Sequence, residues 1–312
     1  MRVAVVVNEQ GGTAANQASL GETLRAAFDK AGIDADLLLV PSEQLPDAIE
    51  EAAQAAGFDA LVAGGGDGTM SLAAAAALRH DRTLGILPLG TLNHLARDAG
   101  IPADLDGAVG VIAAGRVRAI DVAEVNGHIF VNNSSVGLYP LMVREREAQQ
   151  RQLGRSKRLA MLVASIRALR HFGRRRLSIR IAGQEQPIVT PLLFVGNNRY
   201  ETSLFALGRR TALDRGELCL YALLVRNRRQ LLSLAIRGIF GTLDQQRDFV
   251  SVTGVTEAEI DSGRPVLNLA ADGETLQLET PLRYRVRPRA LRLLMPEPQE
   301  EAEAVPSAGS GG

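Results

Sequence analysis

Residues 61–69 read Leu-Val-Ala-Gly-Gly-Gly-Asp-Gly-Thr, and an alanine-rich run, residues 71–78, follows them. The apolar triplet predicts a strand and the alanine-rich run predicts a helix, so the glycines form the turn between them. Such a turn can hold a phosphate, because glycines let backbone N–H groups come close to the anion and the helix N-terminus adds positive potential. Asp67 would repel a phosphate unless a cation lay between them, which indicates nucleotide phosphates handled together with Mg²⁺.

A glycine cluster alone is weak evidence, since purely structural turns use glycine as well. Here a second turn, Pro88-Leu89-Gly90-Thr91, closes the next predicted strand. In the phosphate-binding interpretation, backbone N–H groups and Thr69 hold phosphate oxygens, and Asp67 faces Mg²⁺ directly or through water. Asn8, after the first strand, could place a polar group on the same nucleotide or belong to a plain strand-to-helix turn.

The first 120 residues alternate strand and helix signals. Apolar runs predict strands at residues 2–7, 37–40, 61–63 and 83–87, and helical patterns predict helices at residues 14–31, 45–56 and 71–78. This alternation is typical of a parallel sheet flanked by helices, in which ligands bind beyond the carboxyl ends of the strands. The sequence therefore predicts an α/β domain over residues 1–120, with the glycine turn at its ligand-binding edge.

Beyond residue 120 the pattern becomes that of an antiparallel β protein. Asn126-Gly127 is a strong hairpin signal between two strands. Strand patterns occur at residues 120–125, 128–132, 177–181, 188–195, 218–224, 250–255, 266–270, 275–278 and 282–286. These patterns predict an antiparallel sandwich or barrel over residues 121–288. One more apolar strand follows at residues 290–295, and the acidic, Ser/Gly-rich residues 297–312 read as a disordered tail.

A basic helical insertion interrupts the β half at residues 144–180, where twelve Lys and Arg stand against two Glu. Its apolar stripe at helical spacing comprises Leu159, Leu162, Val163, Ile166 and Leu169. A basic amphipathic helix can lie on an anionic membrane surface, with Arg174, Arg175 and Arg176 facing the lipid headgroups. It can equally pack on the sandwich with its basic face in water.

The composition excludes several classes of protein. Lys plus Arg and Asp plus Glu both number 35, and this near-zero net charge argues against a general nucleic-acid binder. The single cysteine, Cys219, leaves no disulfide framework or Cys-based zinc site within one chain. The first apolar run is too short for a signal peptide and no apolar stretch reaches about 18 residues, so we expect a cytoplasmic protein without a membrane span.

Three further polar positions are candidates for chemistry. Asp272-Gly273-Glu274 reads as a common hairpin turn, yet a carboxylate there could face the phosphate site and accept a proton from an attacking hydroxyl. Asp214 belongs either to the turn that starts a strand or to a loop metal site. His94, after the second glycine turn, suits a packing or capping role, and its location also keeps a role in the site open.

Taken together, these residues resemble the diacylglycerol kinase catalytic-domain family, which includes bacterial lipid kinases and sphingosine kinases. NAD kinases and 6-phosphofructokinases are its distant relatives. The resemblance covers about residues 1–295. The glycine block at residues 64–69 is specific to the wider superfamily, and residues 88–97, Pro-Leu-Gly-Thr-Leu-Asn-His-Leu-Ala-Arg, favour the lipid kinase branch. Further matches lie at residues 5–12, 133–137, 196–198, 213–220 and 272–274.

The resemblance implies a Rossmann-like N-terminal domain that binds Mg-ATP, rejoined by a final strand at residues 289–296, and a C-terminal sandwich that contributes to a lipid site. The nucleotide would be held by Asn8, Gly64, Gly65, Gly66, Asp67, Gly68, Thr69, Gly90, Thr91 and Asn93. Glu274 would be the general base on the lipid hydroxyl. Asp272 would position the hydroxyl or the metal.

The chain departs from the family pattern at three places. Glu9 and Gly11 replace a Pro and a Ser of the first motif. The usual Asn-Asp pair is Asn93-His94, so a carboxylate is missing and His94 could substitute as a hydrogen-bonding group. Many members carry an Asp directly before the glycine of a structural-metal loop. Arg215 stands there, next to Asp214, and its charge would oppose Mg²⁺ binding.

The sequence thus predicts a kinase that transfers the γ-phosphoryl of ATP to a hydroxyl of diacylglycerol or a related membrane lipid. We expect it in the cytoplasm, transiently at the inner face of the membrane, and a homodimer is compatible with the sequence. One alternative is an NAD kinase, although the nearest counterpart of that family's Asn-Glu motif, residues 132–135, has no acid. The other is an inactive nucleotide- or lipid-binding regulatory module. The presence of Asp67, Asp272 and Glu274 argues against it.

Overall fold

The computed structural model describes residues 1–10, 17–137, 175–200, 210, 212–225, 229–230, 233 and 249–297.

The N-terminal half is an α/β unit whose central strands are buried on both faces. Its elements are β1 (Arg2–Asn8), α1 (Gln17–Lys30), β2 (Asp34–Val40), α2 (Leu45–Gln54), β3 (Ala60–Gly65), α3 (Asp67–Arg79), β4 (Leu84–Pro88), α4 (His94–Asp98) and α5 (Leu105–Ala114). The strands are parallel in the order β2-β1-β3-β4. All residues of β3 and β4 are buried, as a parallel sheet with helices on its faces requires. The predicted α/β architecture is confirmed.

The C-terminal half is an antiparallel sandwich. Its strands are β5 (Val117–Val125), β6 (His128–Phe130), β7 (Asn133–Gly137), β8 (Arg175–Ile181), β9 (Gln184–Thr190), β10 (Leu192–Asn197), β11 (Leu218–Leu223), β12 (Phe249–Val255), β13 (Glu257–Asp261), β14 (Val266–Ala271), β15 (Glu274–Glu279) and β16 (Leu282–Leu294). Six of them form a second sheet in the order β12-β11-β10-β7-β14-β15. Its apolar face packs on strands of the first sheet around a core that includes Phe130, Leu193, Leu269 and Tyr284. The predicted sandwich is confirmed.

The last strand, β16, belongs to both halves. Its first part pairs antiparallel with β13 and β5, and Leu293 near its end pairs in parallel with Leu84 of β4. Its register shifts between Arg287 and Leu291, and Arg289 there has a φ of 49°. The strand predicted at residues 290–295 is therefore the end of a longer one. Through β16 the first sheet runs without interruption from the α/β unit into the sandwich.

Several local predictions differ from the structure. The helix α5 and the strands β7 and β13 were not predicted. The strand predicted at residues 188–195 is divided at Pro191 into β9 and β10, because proline has no N–H to donate to a strand ladder.

The basic insertion predicted as helical over residues 144–180 lies outside the described residues up to residue 174. From there the prediction of a helix is wrong, because β8 pairs with β9 and β13. Leu177 of this strand is buried in the sandwich core and Arg176 is exposed, which is the alternation of a strand. The predicted tail lies outside the described residues apart from residue 297. Among the helices that the structure describes, none has the length and apolar character needed to cross a bilayer.

Candidate active site

The two predicted glycine turns lie side by side at the carboxyl edge of the parallel sheet. One joins β3 to α3, the other joins β4 to α4, and Gly65 pairs with Pro88 where the two strands end. A Cβ on Gly90 would overlap Cα of Gly66 and lie 2.7 Å from Asn93 Oδ1. The residue at position 90 must therefore be glycine for the two backbones to meet and form one surface.

The first turn presents the N-terminus of α3. Gly66 is the N-cap of this helix, and no side chain caps it. Thr69 is buried, and its hydroxyl faces Gly65, where a Cβ would overlap Thr69 Oγ1. Backbone N–H groups without a side-chain cap, together with the helix dipole, make a site for an anion. This is the arrangement that the predicted phosphate site over residues 64–69 requires.

Asp67 links the two turns. Its Oδ1 accepts a hydrogen bond from the backbone N–H of His94, the first residue of α4, at 2.7 Å. Its Oδ2 accepts no hydrogen bond from the residues that the structure describes. A carboxylate oxygen in this state, beside the uncapped amides of α3, fits Mg²⁺, which proteins commonly hold through one or two carboxylates and the phosphates of the substrate.

The side chain of Asn93 is used within the second turn. Its Nδ2 donates to the carbonyl oxygens of Pro88 and Gly90, at 3.0 and 2.9 Å, and its Oδ1 accepts from the N–H of Gly90 at 3.0 Å. Its φ is 47°, in the left-handed region that Asn adopts more readily than most residues. Asn93 therefore shapes the turn instead of offering its amide hydrogens to a nucleotide. Thr91 is exposed at the tip of the same turn.

His94 is an uncharged group beside Asp67. Its Nδ1 lies 3.2 Å from Nη2 of Arg97. Because a guanidinium only donates, Nδ1 is the acceptor and the ring proton is on Nε2. Burial lowers the pKa of His94, while the negative charges of Asp67 and Asp98 oppose that shift. A neutral N–H donor thus stands where the family usually carries a carboxylate.

Asp272 connects the sandwich to α3 through hydrogen bonds. Its Oδ2 accepts hydrogen bonds from Ser71 Oγ and Val131 N, each at 2.6 Å. Its Oδ1 accepts from the N–H groups of Asn132 and Asn133, at 2.8 and 3.0 Å. Burial raises the pKa of the Asp272 carboxyl, and the four hydrogen bonds oppose that shift. Both oxygens are engaged, so Asp272 connects the sandwich to α3, and its predicted role at the acceptor hydroxyl or the metal stays a prediction.

Glu274, two residues further along, has the opposite environment. It begins β15 and is exposed. A Cβ on Gly68 would lie 3.4 Å from Glu274 Oε1, so this carboxylate lies over the first turn of α3. The fold therefore brings the predicted general base next to the predicted phosphate-binding turn.

A groove of about 410 Å³ runs from Glu274 along α3. One wall is a single face of α3, formed by Ser71, Leu72, Ala75, Leu78 and Arg79. The other wall comprises Gly127, His128, Ile129, Ala271, Glu274, Leu276 and Arg287. The groove is apolar along most of α3, with a carboxylate at the start of the helix and arginine at its end. Its volume lies in the usual range of small-molecule sites.

Asn8 lies at the end of β1, on the edge of the sheet that carries the glycine turns. Its Oδ1 accepts hydrogen bonds from the N–H of Gln10, at 3.0 Å, and from Ser42 Oγ, at 3.2 Å. Its amide nitrogen makes no hydrogen bond with the described part of the chain, so it is the group that could contact a nucleotide.

The loop that carries Asp214 is closed by Asp121. The Oδ2 of Asp121 accepts a hydrogen bond from Gly216 N at 2.6 Å, and its own N–H donates to Leu213 O at 2.7 Å. Its Oδ1 accepts from Arg289 N at 2.8 Å. Within the described ranges, no three Asp, Glu, His or Cys side chains form a cluster. Both oxygens of Asp121 are engaged by backbone N–H groups, so Asp214 is the carboxylate of this loop that a structural metal would use, and its role as a ligand stays a prediction.

Those of the predicted membrane-facing arginines that the structure describes are not part of the groove. Arg174 lies outside the described residues, and Arg175 and Arg176 begin β8, near the far edge of the first sheet. Arg175 is half-buried, and this burial lowers its pKa, as does the charge of Arg264. Arg176 is exposed.

Sequence reasoning missed the buried and half-buried polar residues that hold the site together. They are Ser71, Asp98, Asp121, Asn132 and Arg210. The role of Asp121 could have been recognised from the sequence, because an acid inside an apolar strand is buried only where it has partners. The role of Arg210 could not have been recognised in this way, since its partners are distant in the sequence.

Two family models match this chain. The diacylglycerol kinase catalytic domain matches residues 2–125, and the YegS C-terminal NAD kinase beta sandwich-like domain matches residues 141–295. A solved structure described as a diacylglycerol kinase from Bacillus anthracis strain Sterne is similar with a TM-score of 0.71 and 20% identity, over 95% of this chain and 97% of that one. At this identity the likeness shows the fold alone.

Relatives in other bacteria carry the name "Probable lipid kinase YegS-like". The one from Pseudomonas fluorescens (strain Pf-5) is 31% identical over 290 residues, which are 89% of this chain and 92% of the relative. The one from Pseudomonas aeruginosa (strain PAO1) is 47% identical over 91 residues, and the match spans 30% of that protein's length. The match with the Enterobacter relative, 42% identical over 93 residues, spans 31% of its length. The chain therefore belongs to the family of YegS-like lipid kinases built on a diacylglycerol kinase catalytic domain.

Proposed function

We propose that this chain transfers the γ-phosphoryl group of Mg-ATP to a hydroxyl of a membrane lipid, either diacylglycerol or a close relative of it. The observation that carries the proposal is the position of Glu274, whose carboxylate lies over Gly68 at the N-terminus of α3. A base next to a phosphate-binding turn is what phosphoryl transfer to an alcohol needs.

The nucleotide side of the site is the surface formed by the two glycine turns. The backbone N–H groups at the start of α3 would hold phosphate oxygens. Asn8 and Thr91 border this surface from β1 and from the second turn. Asp67 would hold Mg²⁺ together with the phosphates, and the metal when bound would neutralise the charge that develops on the transferred group.

The acceptor side is the groove along α3. A lipid whose hydroxyl lies at Glu274 would place its apolar part against Leu72, Ala75 and Leu78. The hydroxyl oxygen would attack the γ-phosphorus, its proton would pass to Glu274, and ADP would leave with the electrons of the broken bond. The groove would take the part of the lipid next to its hydroxyl, and the remaining chain would stay in the bilayer.

The reaction would take place at a membrane surface. A substrate that remains partly in the bilayer requires the enzyme to bind there peripherally, from the cytoplasm. The exposed Arg176 and the neighbouring Arg174 and Arg175 would add electrostatic attraction to anionic lipids.

The test is a transfer assay with radiolabelled ATP, Mg²⁺ and a panel of membrane lipids in mixed micelles. We expect label in a lipid with the wild type and a loss of about a hundredfold or more in Glu274→Gln, because the base is removed. Glu279→Gln is the matched control, since Glu279 is an exposed acid on the same strand, β15, outside the groove. Label in NAD would favour an NAD kinase, and ATP binding without transfer to any lipid would favour a regulatory module.

A further inference from the structure

Residues 131–133, which lead from β6 into the first residue of β7, are held between two buried charges of opposite sign. On one side, the Asp272 carboxylate accepts hydrogen bonds from all three backbone N–H groups. On the other side, Arg210 donates from Nη1 to Val131 O at 2.6 Å and from Nη2 to Asn132 Oδ1 at 3.0 Å. Hydrogen bonds that a cation and an anion make to the same peptide groups reinforce each other, so the segment has one defined position.

Arg210 is enclosed by the protein. Its side chain is 0% exposed, that of Asp98 is 1% exposed, and Arg210 Nε donates to Asp98 Oδ2 at 2.7 Å. Asp98 ends α4, and the first residue of that helix, His94, is bound by Asp67. Arg210 therefore joins the sandwich to the helix that follows the second glycine turn.

Stability alone does not account for this ion pair. A buried pair loses about as much in desolvation as it gains in attraction, and apolar replacements of similar volume are often neutral or stabilising. Two buried atoms of the network, Asp98 Oδ1 and Asn132 Nδ2, also have no hydrogen-bond partner in the described part of the chain. The network is thus better suited to fixing positions than to adding stability.

The position of residues 131–133 is passed on to the predicted base. Asp272 lies in the turn between β14 and β15, and its N–H donates to Asn133 O at 2.8 Å. Its carboxylate also holds Ser71 of α3. Because Glu274 follows Asp272 by two residues, a shift of Asp272 changes where the Glu274 carboxylate lies relative to α3.

We propose that Arg210 is a positioning residue for phosphoryl transfer. By fixing residues 131–133 it holds Asp272, and through Asp272 it holds Glu274 over the first turn of α3. The inference rests on the proposed lipid kinase function. The glycine turns keep their own hydrogen bonds from Asp67 and Asn93, so the loss of Arg210 lowers kcat and leaves the KM for ATP near its wild-type value.

The first variant is Arg210→Met, which keeps a long side chain and removes the donors. We expect kcat to fall by about 10- to 100-fold, since small displacements of reacting groups have effects of this size. We expect amide hydrogen exchange at residues 131–133 to speed up by about tenfold or more as these hydrogen bonds weaken. The control is Arg82→Met, because Arg82 also binds backbone carbonyls, those of residues 53, 55 and 58, but lies outside the groove. This variant is expected to lose stability and to keep its kcat.

The double variant Arg210→Met/Asp98→Leu separates positioning from stability. With both charges gone no buried acid is left unpaired, so we expect the Tm to return towards the wild-type value. We expect kcat to stay low, because the contacts with Val131 and Asn132 remain absent. Recovery of kcat together with the Tm would overturn the positioning role.

The two proposals fail in different ways. A wild-type protein that labels no lipid would overturn the proposed function. Unchanged hydrogen exchange at residues 131–133 in Arg210→Met would overturn the role of Arg210, whatever reaction the protein catalyses.

Discussion

Two loops of this chain place an aspartate beside glycine, and the protein uses them in opposite ways. In the loop after β3, Asp67 gives one carboxylate oxygen to His94 N, and the other oxygen accepts no hydrogen bond from the described residues. In the loop before β11, Gly216 lies beside Asp121 of β5, whose carboxylate is fully used by the N–H groups of Gly216 and Arg289.

The difference shows how a ligand site is recognised. Acids and glycines occur in both loops, but the first leaves the amides of α3 and one oxygen of Asp67 unsatisfied, whereas the backbone of the second is closed by the Asp121 carboxylate. Buried polar groups that find partners within the protein contribute to the fold. Those that the fold leaves without partners at a surface are available to a ligand.

The substitution Asp67→Asn is expected to have the largest effect, and it tests this comparison most directly. The amide oxygen can still accept from His94 N, so the two turns stay joined, but the charge that would face Mg²⁺ is lost. We expect kcat/KM for Mg-ATP to fall by about 10²- to 10³-fold, with little change in Tm. Steady-state kinetics and thermal unfolding measure the two effects. In Asp214→Asn, the matched change in the other loop, activity is expected to stay within about twofold of wild type; an equal loss there would erase the contrast.

The second effect is on stability, in Asp121→Ala. The N–H groups of Gly216 and Arg289 lose their acceptor, and a hydrogen bond to a charged group contributes about 1.5–3 kcal/mol. We therefore expect the free energy of unfolding to fall by about 3 kcal/mol, measured by urea titration, while the KM for ATP stays unchanged. Asp261→Ala serves as the control, since Asp261 holds a single exposed N–H, that of Gly263. Similar urea midpoints for the two variants would mean that Asp121 does not close its loop.

The smallest expected effect is that of metal removal. In the nucleotide-free protein, chelation with EDTA is expected to change the Tm by less than about 1 °C, because the carboxylate of Asp121 closes the loop around Asp214 through hydrogen bonds. With ATP present, added Mg²⁺ is expected to raise the Tm, since a ligand that binds only the folded state stabilises it. A fall in Tm on chelation without nucleotide, accompanied by release of a bound metal, would reverse our assignment of the two loops.

The parts of the fold that depend on neighbouring residues could be predicted from the sequence. The glycine turn follows from residues 61–69 alone, and the α/β alternation follows from short apolar runs whose strands are fully buried. The sandwich followed in the same way from strand patterns and from Asn126-Gly127. Two predictions overlapped at residues 177–180, a helical insertion and a strand at residues 177–181, because the charge of the arginines is compatible with either; pairing with β9 and β13 decides for the strand.

The arrangement of the site could be predicted only in part. Asp272 and Glu274 were singled out together, but their different roles depend on burial, which brings four donors to Asp272 and leaves Glu274 exposed. The pairing of Leu293 with Leu84 and the contacts of Arg210 join residues far apart in the chain. No local pattern reports such contacts, since their energy arises only when the tertiary structure forms.

The shared strand β16 also has a consequence for how the protein is made. The outer edge of β4 pairs with the last residues of β16, so on the ribosome this edge stays unpaired until residue 293 has emerged. Synthesis of the intervening stretch of roughly 200 residues takes about 10–40 s at ordinary translation rates. During that time the nascent sheet presents an unpaired edge on which other chains can add strands. We therefore expect the yield of native protein to depend on translation speed and on chaperones that cover this edge.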